Sequence, residues 1–376
     1  MTPNRTYGLI ILLSLLGLTT CVGPIEFDVP PAESLVIIEG SVTNEDEPYT
    51  VTITRAIPLS ADSLVKPPVE RAMVRLYDNQ NNVEDFQEVS PGVYQTGGAI
   101  RGEIGRSYHI RVELEDGTVF ESEPDLMKPV GNVEEIRYEF ETRTEEHNFV
   151  EAQRDVFNVY IDSDAGPGVG NYVRWRYNGV YRIVTNPELK IEVLPWSDNP
   201  RPIPRACSGF RTAGHPSGSG YILVQYRDCT CCECYVYQHE KAPQLSDDLL
   251  IADKQFNNIK VGEVPISNIT FYDKYLIEVE QMSMTQVAFE FFKLIRIQKT
   301  EASNIFQPPS GELIGNVFPL NSEDRVVGLF WASAVSKKTH FLTRADIPYN
   351  LTPTETIAES CLSYFDDATT TKPDAW

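Results

Sequence analysis

The sequence predicts a mostly β protein in two parts. An immunoglobulin-like or transthyretin-like β-sandwich covers residues 34–125, and a larger β-rich C-terminal domain with one main helix covers 130–376. Three observations predict this. Short runs of β-branched and aromatic residues alternate with period two, as half-buried strands do. Turn residues punctuate these runs at the close spacing of a sandwich. Only one long segment, near 284–302, repeats its apolar residues at helical spacing. A chain of 376 residues is ample for two such cores.

The chain opens with Arg5 and an apolar run over residues 9–18. Ten residues span roughly 15 Å as a helix, about half a bilayer core, which suits a secretory signal and not a membrane span. The run ends in Leu18-Thr19-Thr20-Cys21, which looks like a bacterial lipobox. On that reading residues 1–20 are a signal peptide, and Cys21 carries the lipid. Residues 21–33, with Gly23, Pro24, Pro30 and Pro31, form the lipidated tether. One acyl chain holds a protein only marginally, and several make a stable anchor. No Asp follows Cys21, so the expected location is the outer membrane. Glu26 and Asp28 hint at the cell surface, and a periplasmic orientation stays open.

Within the first domain, residues 34–39 make a short apolar strand closed by Gly40. Residues 49–54 alternate strictly. Residues 72–77 form a third strand, ended by Asp78-Asn79-Gln80-Asn81-Asn82. Residues 93–96 follow a Pro91-Gly92 turn. Residues 108–115 and 118–122 face each other across Asp116-Gly117, a strong hairpin signal. This order resembles the carboxypeptidase regulatory-like domains of Bacteroidetes surface proteins. The prolines and glycine of residues 124–132 mark the domain boundary.

In the second domain, strands are expected at 133–140, 156–162, 172–177, 181–185, 221–226 and 275–279. Residues 186–219, rich in Pro, Gly and Ser, read as a long loop of the kind that tends to be functional. For the helix, Ser283 and Gln286 suggest a capping box. Val287, Phe291, Leu294, Ile295 and Gln298 then continue at helical spacing, with Ala288 beside them, giving a span of about 284–302. Residues 326–332 and 339–344 read as closing strands.

The charge is strongly acidic, with 54 Asp and Glu against 32 Lys and Arg and a net of −22. Phosphate backbones would be repelled, which excludes nucleic acid as a partner class. Besides Cys21 there are six cysteines: Cys207, Cys229, Cys231, Cys232, Cys234 and Cys361. Outside the cytoplasm an even count favours disulfides, with Cys207 stapling the long loop to the 229–234 cluster and Cys361 pinning the tail. A thiolate metal site, with His239 nearby, and a redox pair are the competing readings. Adjacent Cys231 and Cys232 point to opposite sides of an extended chain, which makes a four-ligand cage awkward.

His109, His147, His215, His239 and His340 show no ligand spacing. No nucleophile elbow, phosphate loop or His-Glu-x-x-His is present, and no motif calls for a cofactor or a metal. A non-enzymatic role is therefore expected. Trp196, on the long loop, is the aromatic best placed to touch a ligand, while Trp175 and Trp331 lie in strand patterns and belong to cores.

Taken together, the chain resembles a Bacteroidetes lipoprotein family known as domain of unknown function 4249. The resemblance rests on Cys21-x-x-Pro24-Ile25-x-Phe27, on Leu35-Val36-Ile37-Ile38-Glu39-Gly40, and on Asn171-Tyr172-x-Arg174-Trp175. It continues in Gly315-Asn316-Val317, in Val327-Gly328-Leu329-Phe330-Trp331-Ala332-Ser333, and in the tail Lys372-Pro373-Asp374-Ala375-Trp376. The family tail has Cys-x-x-Cys; here Tyr364 replaces the second Cys, so the resemblance sends Cys361 to seek a partner elsewhere. Members tend to be encoded beside TonB-dependent outer-membrane transporters. The resemblance thus implies an accessory or substrate-capturing lipoprotein of such a transporter. The alternative is a structural or adhesive surface protein that binds proteins or glycans.

Overall fold

A computed structural model describes residues 35–57, 66–147, 150–168, 170–193, 200–218, 220–249, 251, 253–301 and 313–376. The expected signal peptide, Cys21, the tether and Trp196 lie outside the described residues. The chain is mostly β, with one long helix, and is built around two sandwiches. Among the described residues no helix is long and apolar enough to cross a membrane.

The first sandwich packs two sheets. One has the order Val326–Ser333, Val36–Thr43, Thr50–Arg55, Val93–Gln95, Gln87–Ser90; the other has Val317–Pro319, Val119–Ser122, Ser107–Glu113, Met73–Asp78, Val83–Asp85, with Asp125–Leu126 also pairing Ser107–Glu113. Alternate residues such as Val51, Ile53, Val74, Leu76, Ile110 and Val112 point into one core. The Asp78–Asn82 turn closes on the Asp78 carboxylate, which accepts the backbone N–H of Gln80 and of Asn82, each at 2.9 Å. Buried Glu84 accepts four backbone N–H groups, from Gly97, Gly98, Ala99 and Ile100.

The sandwich is not a contiguous 34–125 unit, because two of its strands come from beyond residue 310. Val36–Thr43 pairs in parallel with Val326–Ser333, so two of the quoted family motifs are neighbouring strands. Their backbones approach so closely that a Cβ on Gly328 would stand 2.2 Å from the Ile38 carbonyl oxygen. Asn316, from a third motif, acts like an extra strand residue: its side chain donates to the Phe330 carbonyl at 2.7 Å and accepts the Phe330 N–H at 2.9 Å.

The second sandwich sets a three-stranded sheet, Val133–His147, Val150–Asp164, Gln255–Pro265, against a larger one. The larger sheet runs Val335–Leu342, Tyr275–Met284, Tyr172–Val184, Glu233–His239, Ala368–Thr369, with Gln244–Asp247 also pairing Tyr172–Val184. The inner faces share a core containing Phe157, Val159, Trp175, Tyr177, Phe256 and Ile277. Trp175 is 1 % exposed and donates its indole N–H to Gln281 Oε1 at 2.9 Å. The segment read as a long loop carries two short hairpins, Ile191–Glu192 with Arg201–Pro202, and Phe210–Gly214 with Tyr221–Gln225.

The helix spans Gln286–Glu301 and its cap differs from the expected one. Ser283 still belongs to the strand Tyr275–Met284. Its hydroxyl donates to the Lys128 carbonyl and accepts the Ala334 N–H, so it is consumed by tertiary contacts. Thr285 caps instead, its hydroxyl accepting the Ala288 N–H at 3.5 Å. The buried stripe is Ala288, Phe289 and Phe291, whereas Val287 is 43 % exposed. This stripe meets Met282, Met284, Leu329, Trp331 and Val335, so the helix docks where the two sandwiches join. Buried Asp125 ties the same joint, accepting the Thr285 hydroxyl and the Ala332 N–H. Burial pushes its carboxyl above the ordinary value.

Candidate functional site

Gln255–Pro265 is the edge of its three-stranded sheet and, among the described residues, pairs with a neighbouring strand on one side only. With Arg154 and Val156 of the neighbouring strand it lines a groove of about 780 Å³, and the opposite wall is the stretch from Tyr237 to Gln244. The groove's presence follows from how the larger sheet ends. Glu233–His239 leaves Tyr172–Val184 after Asn178, and Gln244–Asp247 takes over the pairing from Trp175, so the connecting residues bow away from the strand.

Tyr177 lines the groove beside Gly262. A Cβ at Gly262 would stand 2.5 Å from the Tyr177 ring, so only glycine lets the ring lie against the edge strand. The Tyr177 hydroxyl lies 3.1 Å from the Tyr275 hydroxyl, which donates to Gln238 Oε1 at 2.7 Å. Burial raises both phenols above the ordinary tyrosine value, so they act as neutral hydrogen-bonding groups.

Charges flank these phenols. Glu263 accepts from Arg143 and from Lys260, each at 2.6 Å. Burial alone would raise its carboxyl, but these hydrogen bonds outweigh it and hold it below the ordinary value. Arg143 also donates to Glu141 and to Asn158, and Asn158 donates to Glu141. The hydrogen bonds from Arg143 and Asn158 hold Glu141 down at about 2. On the far wall Glu240 pairs with Arg174, whose guanidinium also stacks 4.3 Å from the Phe292 ring centroid. His239 Nδ1 lies 3.0 Å from Asn178 Oδ1. A strand edge, the face of the Tyr177 ring and fixed charges of both signs make this a place to hold a polar ligand.

The six cysteines form Cys207–Cys231, Cys229–Cys232 and Cys234–Cys361. They consume every thiol of the cluster and stand apart from the groove. Cys361 reaches the cluster itself, and a disulfide local to the tail is absent. His109 stacks on Tyr77, His340 tilts against Tyr138, and His215 touches Ser217 in an exposed turn. These side chains do not converge on a common site. The groove residues come from five segments distant in sequence, and no motif announced them; Gly262 inside a strand was the one available signal.

The molecule is thus a two-sandwich, disulfide-stapled β protein with an open groove in its second sandwich. A family described as a domain of unknown function, DUF4249, matches residues 22–339, and the chain belongs to it. No curated protein matches the chain.

Proposed function

We propose that this protein is a non-enzymatic binding protein, lipid-anchored at Cys21 in the outer membrane, that captures a ligand for a TonB-dependent transporter. The observation that carries the reading is the groove: about 780 Å³ of open space between the strand Gln255–Pro265 and the stretch from Tyr237 to Gln244, lined by the Tyr177 ring and by fixed charges. That volume is of the size that holds small ligands. The lipobox-like Leu18-Thr19-Thr20-Cys21 and the resemblance set out above support the location and the partner.

Purification of the tagged, full-length protein from solubilised outer membranes is expected to recover a TonB-dependent transporter. Recovery without one refutes the partnership. Deleting the protein separates this role from adhesion: loss of uptake with attachment unchanged supports capture, and the reverse result supports a structural or adhesive surface protein.

A further inference from the structure

The three disulfides lie close together in sequence but differ in what they join. Cys234–Cys361 ties a strand of the larger sheet to the returning tail, across a separation of 127. Cys207–Cys231 ties the short helical turn Ala206–Ser208 to the stretch that follows Tyr221–Gln225, across a separation of 24. Cys231 is 2 % exposed, and Cys234 and Cys361 are fully buried. Cys207 is partly exposed, but an attack on its sulfur would have to expel the Cys231 thiolate into a buried site.

Cys229–Cys232 joins no two elements. Both of its ends lie in residues 226–232, the connection between Tyr221–Gln225 and Glu233–His239. That connection is held at several points without it. Cys231 is bonded to Cys207, and the Thr230 N–H donates to the Cys207 carbonyl at 2.9 Å. The Tyr226 N–H donates to the Gly209 carbonyl at 2.9 Å, and the Cys232 carbonyl accepts the Thr185 N–H at 2.7 Å.

Cys229 and Cys232 are both partly exposed and belong to none of the buried clusters. By linkage, a bridge resists reduction in the folded protein, relative to the unfolded chain, by as much as it stabilises the fold. In the chain-entropy model that resistance grows with the loop closed. It is therefore smallest for Cys229–Cys232, whose separation is only 3. Exchange also needs a thiolate to reach a sulfur, which burial prevents and exposure allows. Loop length and access thus select the same bridge, and it is the one the fold needs least.

We propose that Cys229–Cys232 is a thiol–disulfide exchange site, reduced and re-formed by a protein dithiol while the other two bridges keep the fold. A thiolate of the incoming dithiol attacks one of the two sulfurs. A mixed disulfide forms, and the Cys229–Cys232 bond breaks with its electron pair on the other sulfur, which takes a proton. The second thiolate of the dithiol then attacks its own neighbour's sulfur in the mixed disulfide and releases the remaining cysteine, which is protonated in turn. Two electrons and two protons have passed to this protein, and the dithiol leaves as a disulfide. The reverse sequence restores the bridge, and it needs no refolding because both cysteines stay within one short connection. The groove takes no part, so this assignment stands or falls separately from the function proposed above.

The test exposes the full-length, oxidised protein to graded dithiothreitol or to a reduced thioredoxin, quenches by alkylation, and reads each cysteine by fragmentation mass spectrometry. Cys229 and Cys232 are expected to be half alkylated at a dithiothreitol concentration about tenfold or more below that needed for either other pair. Thioredoxin is expected to open this bridge alone, with tryptophan fluorescence unchanged. If the three bridges open together, or if Cys207–Cys231 or Cys234–Cys361 opens first, the assignment is overturned. New pairings among the six cysteines, or a thioredoxin that leaves Cys229–Cys232 closed, overturn it equally. Cys229→Ser with Cys232→Ser is expected to keep the other two bridges and to leave thioredoxin unreacted. A variant that does not fold shows a structural bridge, and one that oxidises thioredoxin at the original rate places the exchange elsewhere; either result refutes the assignment.

Discussion

Replacing Cys234 and Cys361 together by alanine removes a cross-link between the strand Glu233–His239 and the short helix Cys361–Tyr364. Both sulfurs are fully buried in the second sandwich's core. The bridge closes a loop with a sequence separation of 127. In the chain-entropy model such a loop is worth about 5 kcal/mol, and the loss is felt in the unfolded state. With an unfolding entropy of about 2 cal/mol/K per residue, a sandwich of this size should lose roughly 10 °C in Tm. The tail's own contacts sharpen the reading. Trp376 packs edge-on against Tyr235 and Phe341, and Lys274 lies 4.9 Å from its ring centroid. Calorimetry of the oxidised variant gives the shift, and Trp fluorescence follows the tail. Cys229→Ala with Cys232→Ala is the comparison. Its loop has a separation of only 3, worth less than about 2 kcal/mol, and it lies outside every core. The reasoning is refuted if the long-loop pair costs less than about 2 °C or less than the short-loop pair.

Four further outcomes are expected. Glu141, held at about 2 against an ordinary 4.5, contributes stability that is complete above pH 4.5 and is lost as pH falls toward 2. Glu141→Gln should therefore flatten the acid limb of stability measured by denaturant titration, and an unchanged slope refutes this. Trp175→Phe leaves Gln281 Oε1 buried without its donor and should cost about 1–3 kcal/mol in equilibrium unfolding. Gly262→Ala drives a methyl against the Tyr177 ring and should cost about 1–3 kcal/mol while altering the near-ultraviolet circular dichroism of tyrosine; a silent variant contradicts the account of the groove. A fragment of residues 34–130 should not fold, because it lacks Val317–Pro319 and Val326–Ser333 from its two sheets; a cooperative melt of that fragment disproves the shared sandwich.

What could be read from the sequence was local. Thr50–Arg55 and Ser107–Glu113 alternate because one face of each is buried, and that alternation is written in the residue types. The pair Val133–His147 and Val150–Asp164 runs much further than its apolar residues suggested. Its outer half is held by polar cross-strand partners such as Thr142 with Asp155, and by the Arg143 network, which leave no hydrophobic period to detect. The helix cap was misplaced by two residues because Ser283 and Thr285 both offer a hydroxyl. Only the position of Lys128 and Ala334 decides which one is free to cap. Six clustered or scattered thiols announced cross-linking, but pairing depends on where residue 361 returns, and that is a property of the whole fold.

The same limit applies to the joint between the sandwiches, where the structure adds most. The chain passes between the two units after Leu126, after Met284 and after Ser333. The strand pattern at 326–333 was legible, but its parallel partner lies nearly three hundred residues earlier. Three crossings, a helix seated on Leu329 and Trp331, and a buried carboxylate shared by Thr285 and Ala332 mean that neither sandwich is completed without the other. Motifs that look scattered in sequence, at 35–40, 315–317 and 327–333, meet at this seam, and their glycines are there because backbones touch. The groove reaches back to this seam, because its wall residue Glu240 pairs with Arg174, which stacks on Phe292 of the seated helix. A selective pressure for ligand choice would therefore act on the edge-strand wall of the groove, at residues such as Lys260, while the seam motifs stay fixed by packing.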